Sequence, residues 1–234
     1  MAKQPRRQHG SNLQHVISRG VADDFLVPTP EFCRLFWHAL GGFTQEYGVE
    51  LFEMCLMGTH YHLLLRGDKD AVAAALHRAH HRLAMARNRC DSRKGAVFGR
   101  RYKVIGIEDE SHLKTVIRYI PLNPVAAQLC SDPARWDWST HTILAGRGEA
   151  PSWFDRDRAL RTLGFADCVA YERFVIAATP LELPPMTRGE LTRHRVGQLA
   201  IHGMGVEQIA TALDLTADYV AKVLRASTLR GVAS

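Results

Sequence analysis

Val49-Glu50-Leu51-Phe52-Glu53-Met54-Cys55-Leu56-Met57-Gly58-Thr59-His60-Tyr61-His62-Leu63-Leu64-Leu65 is the stretch on which the fold turns. Two β-leaning runs, Val49 to Met57 and Tyr61 to Leu65, are split by Gly58-Thr59, which predicts two strands joined by a short turn. Upstream, Leu13 to Arg19 reads as a strand ended by Gly20. Thr29 and Pro30 then make a helix start, with threonine as N-cap and proline at the first helical position. Phe32, Leu35, Phe36, Leu40, Phe43 and Tyr47 recur at helical spacing until Gly48, although Gly41-Gly42 weaken this helix by about 1 kcal/mol each against alanine. Downstream, Val72, Leu76, Ala79, Leu83 and Ala86 mark one side of a helix from Ala71 to Cys90. Val97 to Ile107 predicts a further strand, and Glu108 to Arg118 a further helix running into Tyr119-Ile120-Pro121-Leu122-Asn123-Pro124.

Strand–helix–strand–strand–helix–strand–helix is the order of an α+β domain, a ferredoxin-like antiparallel sheet with helices on one face. Trp136, Trp138, Trp153 and a helical run from Cys168 to Ala178 extend it, so the first domain is expected over residues 1–178. A proline-rich linker follows at 179–187, and residues 188–234 are helical in pattern, a small all-α domain.

The 234 residues are 46% apolar and 23% charged, a globular composition that excludes wholesale disorder. The net charge of +6 is unevenly spread. Nine lysines and arginines lie between Arg78 and Lys103 against one acid, Asp91, so this segment is strongly basic and the remainder slightly acidic. The polar N-terminus lacks an apolar secretory core, and no stretch reaches the roughly 18 apolar residues of a membrane span. The five cysteines are widely spaced with no CxxC pair, which argues against a disulfide framework or a cysteine zinc site. A cytoplasmic, nucleoid-associated protein without a membrane partner is expected.

Two pairs of residues carry the chemistry. His60 and His62 stand at i and i+2 of a strand, so both imidazoles leave one face while Tyr61 points to the other. Such a pair suits a metal ion, and it also occurs as ordinary sheet histidines. Tyr119 and Asn123 stand at i and i+4, one helical turn apart, either as a nucleophile with an amide ligand or as a core tyrosine with a helix-ending Asn-Pro. Pro121 between them removes one N–H and disfavours α geometry at Ile120, so the pairing depends on the helix passing it unbroken.

Together these elements resemble a known family. Met57 to Leu65 is similar to the His-hydrophobe-His strand of the single-tyrosine HUH transposases, and most closely to the REP-associated tyrosine transposases. Phe98-Gly99-Arg100-Arg101-Tyr102-Lys103 and Tyr119-Ile120-Pro121-Leu122-Asn123-Pro124-Val125 fall where that family has its "FxxRYK" and "YIxLNPV" stretches. His15-Val16-Ile17-Ser18-Arg19-Gly20 resembles its opening strand, and Trp136-Asp137-Trp138-Ser139 its "PWSS" corner. The resemblance implies that His60, His62 and Asn123 hold Mg²⁺ or Mn²⁺, and that Tyr119 attacks a DNA phosphodiester to form a 5′-phosphotyrosine. It implies a hairpin or palindromic repeat of single-stranded DNA as substrate.

The basic segment fits such a partner: Arg78, Arg82 and Arg89 on the helix, and Arg100, Arg101, Tyr102 and Lys103 beyond it, supply charges for phosphates and a ring for stacking. In the C-terminal domain, Val206 to Arg225 resembles a helix-turn-helix. Ile209, Ala210, Leu213, Val220 and Leu224 form its expected core, Thr216 caps its second helix, and Tyr219, Lys222 and Arg225 face duplex DNA. The reading is a metal-dependent endonuclease and strand transferase. The alternative is a domesticated, non-catalytic DNA-binding protein on the same fold.

Overall fold

The computed structural model describes residues 12–21, 25–90, 92, 95–177, 192, 195–197, 199–200 and 204–228. Four strands, β1 (Leu13–Arg19), β2 (Glu50–Leu56), β3 (His60–Arg66) and β4 (Lys103–Gly106), form one antiparallel sheet in the order β2-β3-β1-β4. With α1 (Pro30–Glu46) between β1 and β2 and α2 (Lys69–Cys90) between β3 and β4, the connectivity is that of a ferredoxin-like repeat.

Period-two alternation sorts the strands into two faces. One carries Val16, Tyr61 and Leu63, all fully buried, and receives α1 and α2. The Phe36 ring of α1 meets Tyr61 edge-on at 5.4 Å, and the Tyr61 hydroxyl is 2.6 Å from His80 Nε2 of α2. The hydroxyl of a tyrosine at the sheet's centre thus has a polar partner, as a buried phenol needs. The two helices of the repeat share one face, as the sequence predicts. A third helix, α3 (Glu110–Ala126), lies on the opposite face, where Tyr119 meets His62. The sheet is therefore covered on both sides rather than one, because β3 is buried on both: Tyr61, Leu63 and Leu65 on one face and His60, His62 and Leu64 on the other are all 4% exposed or less.

Two elements differ from expectation. Strand β4 is four residues long, not a run from Val97 to Ile107; Phe98 makes only an isolated bridge to Gly20. Gly99 packs where a Cβ would lie 2.9 Å from the Gly20 carbonyl oxygen, a close approach that lets the 97–102 segment cross the end of β1. Helix α3 runs unbroken through Pro121 and Pro124. Its start is held by the Asp109 side chain, which accepts from His112 N–H at 2.8 Å.

After α3 the chain returns to the outer edge of β2. Leu56 N–H donates to the Trp138 carbonyl and Thr140 N–H to that of Met54, while the Trp136 indole N–H donates to the Leu56 carbonyl at 3.0 Å. This occupies an edge that would otherwise expose unpaired backbone groups. Helices α4 (His141–Leu144), α5 (Arg156–Leu163) and α6 (Cys168–Ile176) complete the domain. Trp153 packs onto α1 at Gly41, where a Cβ would lie 2.1 Å from the indole ring. That contact explains a mid-helix glycine; Gly42 has no such neighbour.

The expected linker at 179–187 lies outside the described residues. Beyond it, α7 (Val206–Leu213) and α8 (Ala217–Thr228) pack through Ile209, Ala210, Val220 and Val223, with Leu213 and Leu224 partly buried. Asp214 turns between them in the left-handed conformation, φ 51°, and Thr216 Oγ1 accepts from Tyr219 N–H as a cap. The interior of this pair also contains Phe25, from the segment between β1 and α1, against Val196 and Gly197. The small cluster is thus completed by a residue that precedes α1.

Candidate functional site

Four rings converge on the α3 face of the sheet. His60 and His62, spaced two residues apart on β3, are 5.1 Å apart by ring centroid. Tyr119, brought in by α3, stands 5.2 Å from His62 at a steep angle. His15, on β1, stands 5.2 Å from His62 and 5.7 Å from Tyr119. Both histidines of β3 are buried, at 4% and 1% exposure, while Tyr119 is half-buried. The gathering follows from pairing: Arg19 lies opposite His60 and Ile17 opposite His62, so the odd-numbered residues of β1 share the face of the imidazoles.

Each ring has a defined environment. His60 Nδ1 is 3.1 Å from the Thr59 hydroxyl. His62 Nδ1 is 3.0 Å from His15 Nε2, whereas His62 Nε2 is buried and has no hydrogen-bond partner among the described residues. Burial, reinforced by His15 and Arg19, holds the His62 imidazole well below its usual pKa, so the ring is neutral. Burial also lowers His15, to about 4, with His112 and Lys103 adding to the effect. The Tyr119 phenol is raised by burial, which the positive charge of Arg19 opposes and Cys55 reinforces. The pocket by itself therefore favours the protonated tyrosine.

Asn123 is one turn beyond Tyr119 and 9% exposed. Its amide nitrogen donates to the Tyr119 carbonyl at 2.6 Å and lies 3.4 Å from that of Ile120. Those acceptors fix which end of the amide is nitrogen, leaving the oxygen as the free donor atom. Imidazole nitrogens and an amide oxygen are donor types that a hard divalent ion accepts, and His62 Nε2 is a buried ring nitrogen without a hydrogen-bond partner among the described residues. Among the described residues, no group of three or more His, Cys, Asp or Glu side chains is placed to hold a metal.

The basic residues divide between the two sides of the sheet. Lys103, opposite Ile17, shares the face of the imidazoles, and exposed Arg100 and Arg101 precede it at the sheet's edge. Tyr102 is half-buried, beneath the Arg101 guanidinium at 6.0 Å and near His80 at 6.3 Å. Arg78, Arg82 and Arg89 are exposed, but α2 places them across the sheet from His60 and His62. Arg78 also packs over the Phe43 ring at 5.2 Å. Arg87 is fully buried, over Phe32, so it belongs to the core and not to a solvent-facing track. On α8, Tyr219 and Lys222 are exposed; the side chain of Arg225 lies outside the described residues.

Arg19 and His15 are the site residues that the motif reading did not single out. Arg19 is the residue whose charge reaches both His62 and Tyr119. The signal for both was their parity with Ile17 on a strand next to β3.

Residues 30–123 match the model of the family described as transposase IS200 like, an interval that begins at the first residue of α1 and ends on Asn123. A solved structure of a REP-associated tyrosine transposase bound to a REP hairpin has a similar fold, with TM-score 0.52 and 16% identity, covering 64% of this chain and 89% of that one. No curated protein matches the chain. Among the described residues no helix is long and apolar enough to cross a membrane. Over residues 30–123, then, this chain carries the sequence pattern of the IS200-like transposases, on a fold shared with a REP-associated tyrosine transposase.

Proposed function

We propose that this chain is a metal-dependent single-stranded DNA endonuclease and strand transferase, with Tyr119 as nucleophile and His60, His62 and Asn123 as ligands of Mg²⁺ or Mn²⁺. The observation that carries the reading is the Tyr119 ring 5.2 Å from His62, whose Nε2 is buried without a partner among the described residues. When bound, the cation polarises a phosphoryl oxygen of the scissile phosphate. Tyr119 Oη attacks phosphorus in line, and the bond to the 3′ oxygen breaks. The phenolic proton ends on the departing 3′ oxygen, and the 5′ side stays on the tyrosine as a phosphodiester. Arg19 offsets the negative charge that develops on the phenol, against the burial that raises it. Attack by another 3′-OH on the phosphotyrosine rejoins a strand without ATP, because the linkage conserves the energy of the broken bond.

The substrate in this reading is a single-stranded hairpin or palindromic repeat. The hairpin held by the fold's relative supports it, as does the edge formed by Arg100, Arg101, Tyr102 and Lys103. Arg78, Arg82 and Arg89 supply a second line of phosphate contacts on the outer surface of α2. The α7–α8 pair serves as a helix-turn-helix, presenting Tyr219 and Lys222 to duplex DNA.

A second reading, a DNA-binding protein that keeps the fold without cleavage, draws on the raised Tyr119 phenol. A labelled single-stranded hairpin incubated with Mg²⁺ or Mn²⁺ separates the two. A covalent adduct that maps to Tyr119 and vanishes in Tyr119→Phe supports the enzyme. Tight binding with no adduct under either ion leaves the binding protein.

A further inference from the structure

We infer that His15 is a positioning residue for the metal site, the acceptor that fixes the tautomer and ring orientation of His62. The inference rests on the proposed ligand role of His62 and deepens it. On β1, Ile17 is the direct cross-strand partner of His62 and His15 pairs with Leu64, which makes His15 the diagonal neighbour of His62 on the same sheet face. Diagonal positions lie within reach of long or aromatic side chains, and here the reach is realised as a 3.0 Å contact between His15 Nε2 and His62 Nδ1.

The chemistry of that contact is directional. A neutral imidazole carries one proton, on either nitrogen. For His62 Nε2 to offer a lone pair, the proton must sit on Nδ1, and His62 Nδ1–H then donates to His15 Nε2. His15 must in turn carry its own proton on Nδ1. The opposite arrangement would bury a His62 Nε2–H with nothing to receive it, since that atom has no partner among the described residues. Leaving a buried donor unsatisfied is the costlier state, so the orphaned nitrogen and the His15 contact select the same tautomer. Ligating histidines commonly donate their second ring nitrogen to a carboxylate, carbonyl or water; here another imidazole takes that part. The edge-on Tyr119 ring, 5.7 Å from His15 and 5.2 Å from His62, restrains both rings from turning.

The test reads metal binding and protonation directly, without DNA. In the full-length, metal-free protein, ¹⁵N NMR of the histidine rings should show His62 protonated at Nδ1; a His62 protonated at Nε2 overturns the inference on the wild type alone. Mn²⁺ affinity, measured from the free-ion EPR signal, should fall about 10–100-fold in His15→Leu. In His15→Gln, whose amide oxygen sits near the place of Nε2 and accepts the same bond, it should return to within a few-fold of wild type. Equal affinities in all three proteins, or equal losses in both variants, refute the positioning role. Wild-type protein that binds no Mn²⁺ refutes the ligand reading of His62 itself, a result distinct from the other two.

Discussion

The side-chain amide of Asn123 reaches back to the Ile120 carbonyl, at 3.4 Å, which Pro124 deprives of its i+4 N–H donor. The same amide donates to Tyr119 at 2.6 Å. A proline in a helix interior removes a hydrogen bond and crowds the preceding turn, yet α3 continues to Ala126. Asn123 therefore supports the turn that carries Tyr119. Asn123→Leu is expected to lower stability by about 1 kcal/mol in a urea titration and to lose the Tyr119 adduct. Unchanged stability would mean that the amide carries no part of the helix's support.

His60→Ala and His62→Ala should each abolish metal-dependent cleavage of a hairpin oligonucleotide while preserving the far-UV circular dichroism spectrum. Both rings are buried, so each truncation also leaves a cavity costing on the order of 1–3 kcal/mol of stability. Full cleavage by either variant would remove that imidazole from the metal site.

Exposed arginines on α2 should govern affinity rather than chemistry. Replacing Arg78, Arg82 and Arg89 together by alanine should weaken single-stranded DNA binding and flatten its salt dependence by roughly 0.7 for each phosphate that is no longer neutralised. The rate of adduct formation at saturating DNA should hold, because these residues lie across the sheet from Tyr119. An unchanged salt slope would return them to an ordinary solvated surface.

Phe25 links the α7–α8 pair to the segment that precedes His60. Leu26 and Val27 N–H donate to the Gly58 carbonyl, and Gly20 N–H to that of Thr59, so the segment bearing Phe25 is stapled to the turn that precedes His60. Phe25→Asp should release the helix pair, seen as protease cleavage before residue 204, with retained cleavage of a short naked oligonucleotide. Loss of oligonucleotide cleavage in this variant would show that docking and catalysis form one unit.

Stability should be limited on both sides of neutral pH. Burial pushes His15, His80 and His141 down to about 4 and holds His62 low as well, so between about 4 and the ordinary 6.5 the unfolded chain binds more protons and acid destabilises the fold. Each such group contributes a slope of roughly 1.2 kcal/mol per pH unit near pH 5. Glu53 is fully buried and its carboxyl raised, with the Tyr171 hydroxyl donating to Oε1 at 2.7 Å. A raised acid binds its proton in the folded state only, so stability declines as pH climbs above the ordinary 4.5 towards the folded value. Glu53→Gln should flatten that alkaline decline in chemical denaturation across about pH 5–9. A wild-type curve already flat over this range would show that Glu53 is ionised in the fold.

What the chain determined locally is clear from its periods. His60 and His62 leave one face, with Tyr61 on the other, because side chains alternate in any strand. Tyr119 and Asn123 stack because four residues make one helical turn, and the order of strands and helices admits few antiparallel arrangements. Gly58-Thr59, Thr29-Pro30 and Thr216 mark turns and helix starts by chemistry confined to a few neighbouring residues. The tertiary structure decided what depends on contacts between distant residues. His15 reaches His62 only through a β1–β3 register spanning 47 positions, and a slip of one residue would have turned it to the opposite face. Glu53 becomes a buried acid because Tyr171 arrives from α6, 118 residues later. Phe25 opens the apolar run Phe25-Leu26-Val27, yet it alone of the three is drawn into the C-terminal helices, because those two short helices leave apolar surface uncovered. Spacing along the chain sets which side chains share a face; which faces meet is set by the apolar surface that the whole fold must bury.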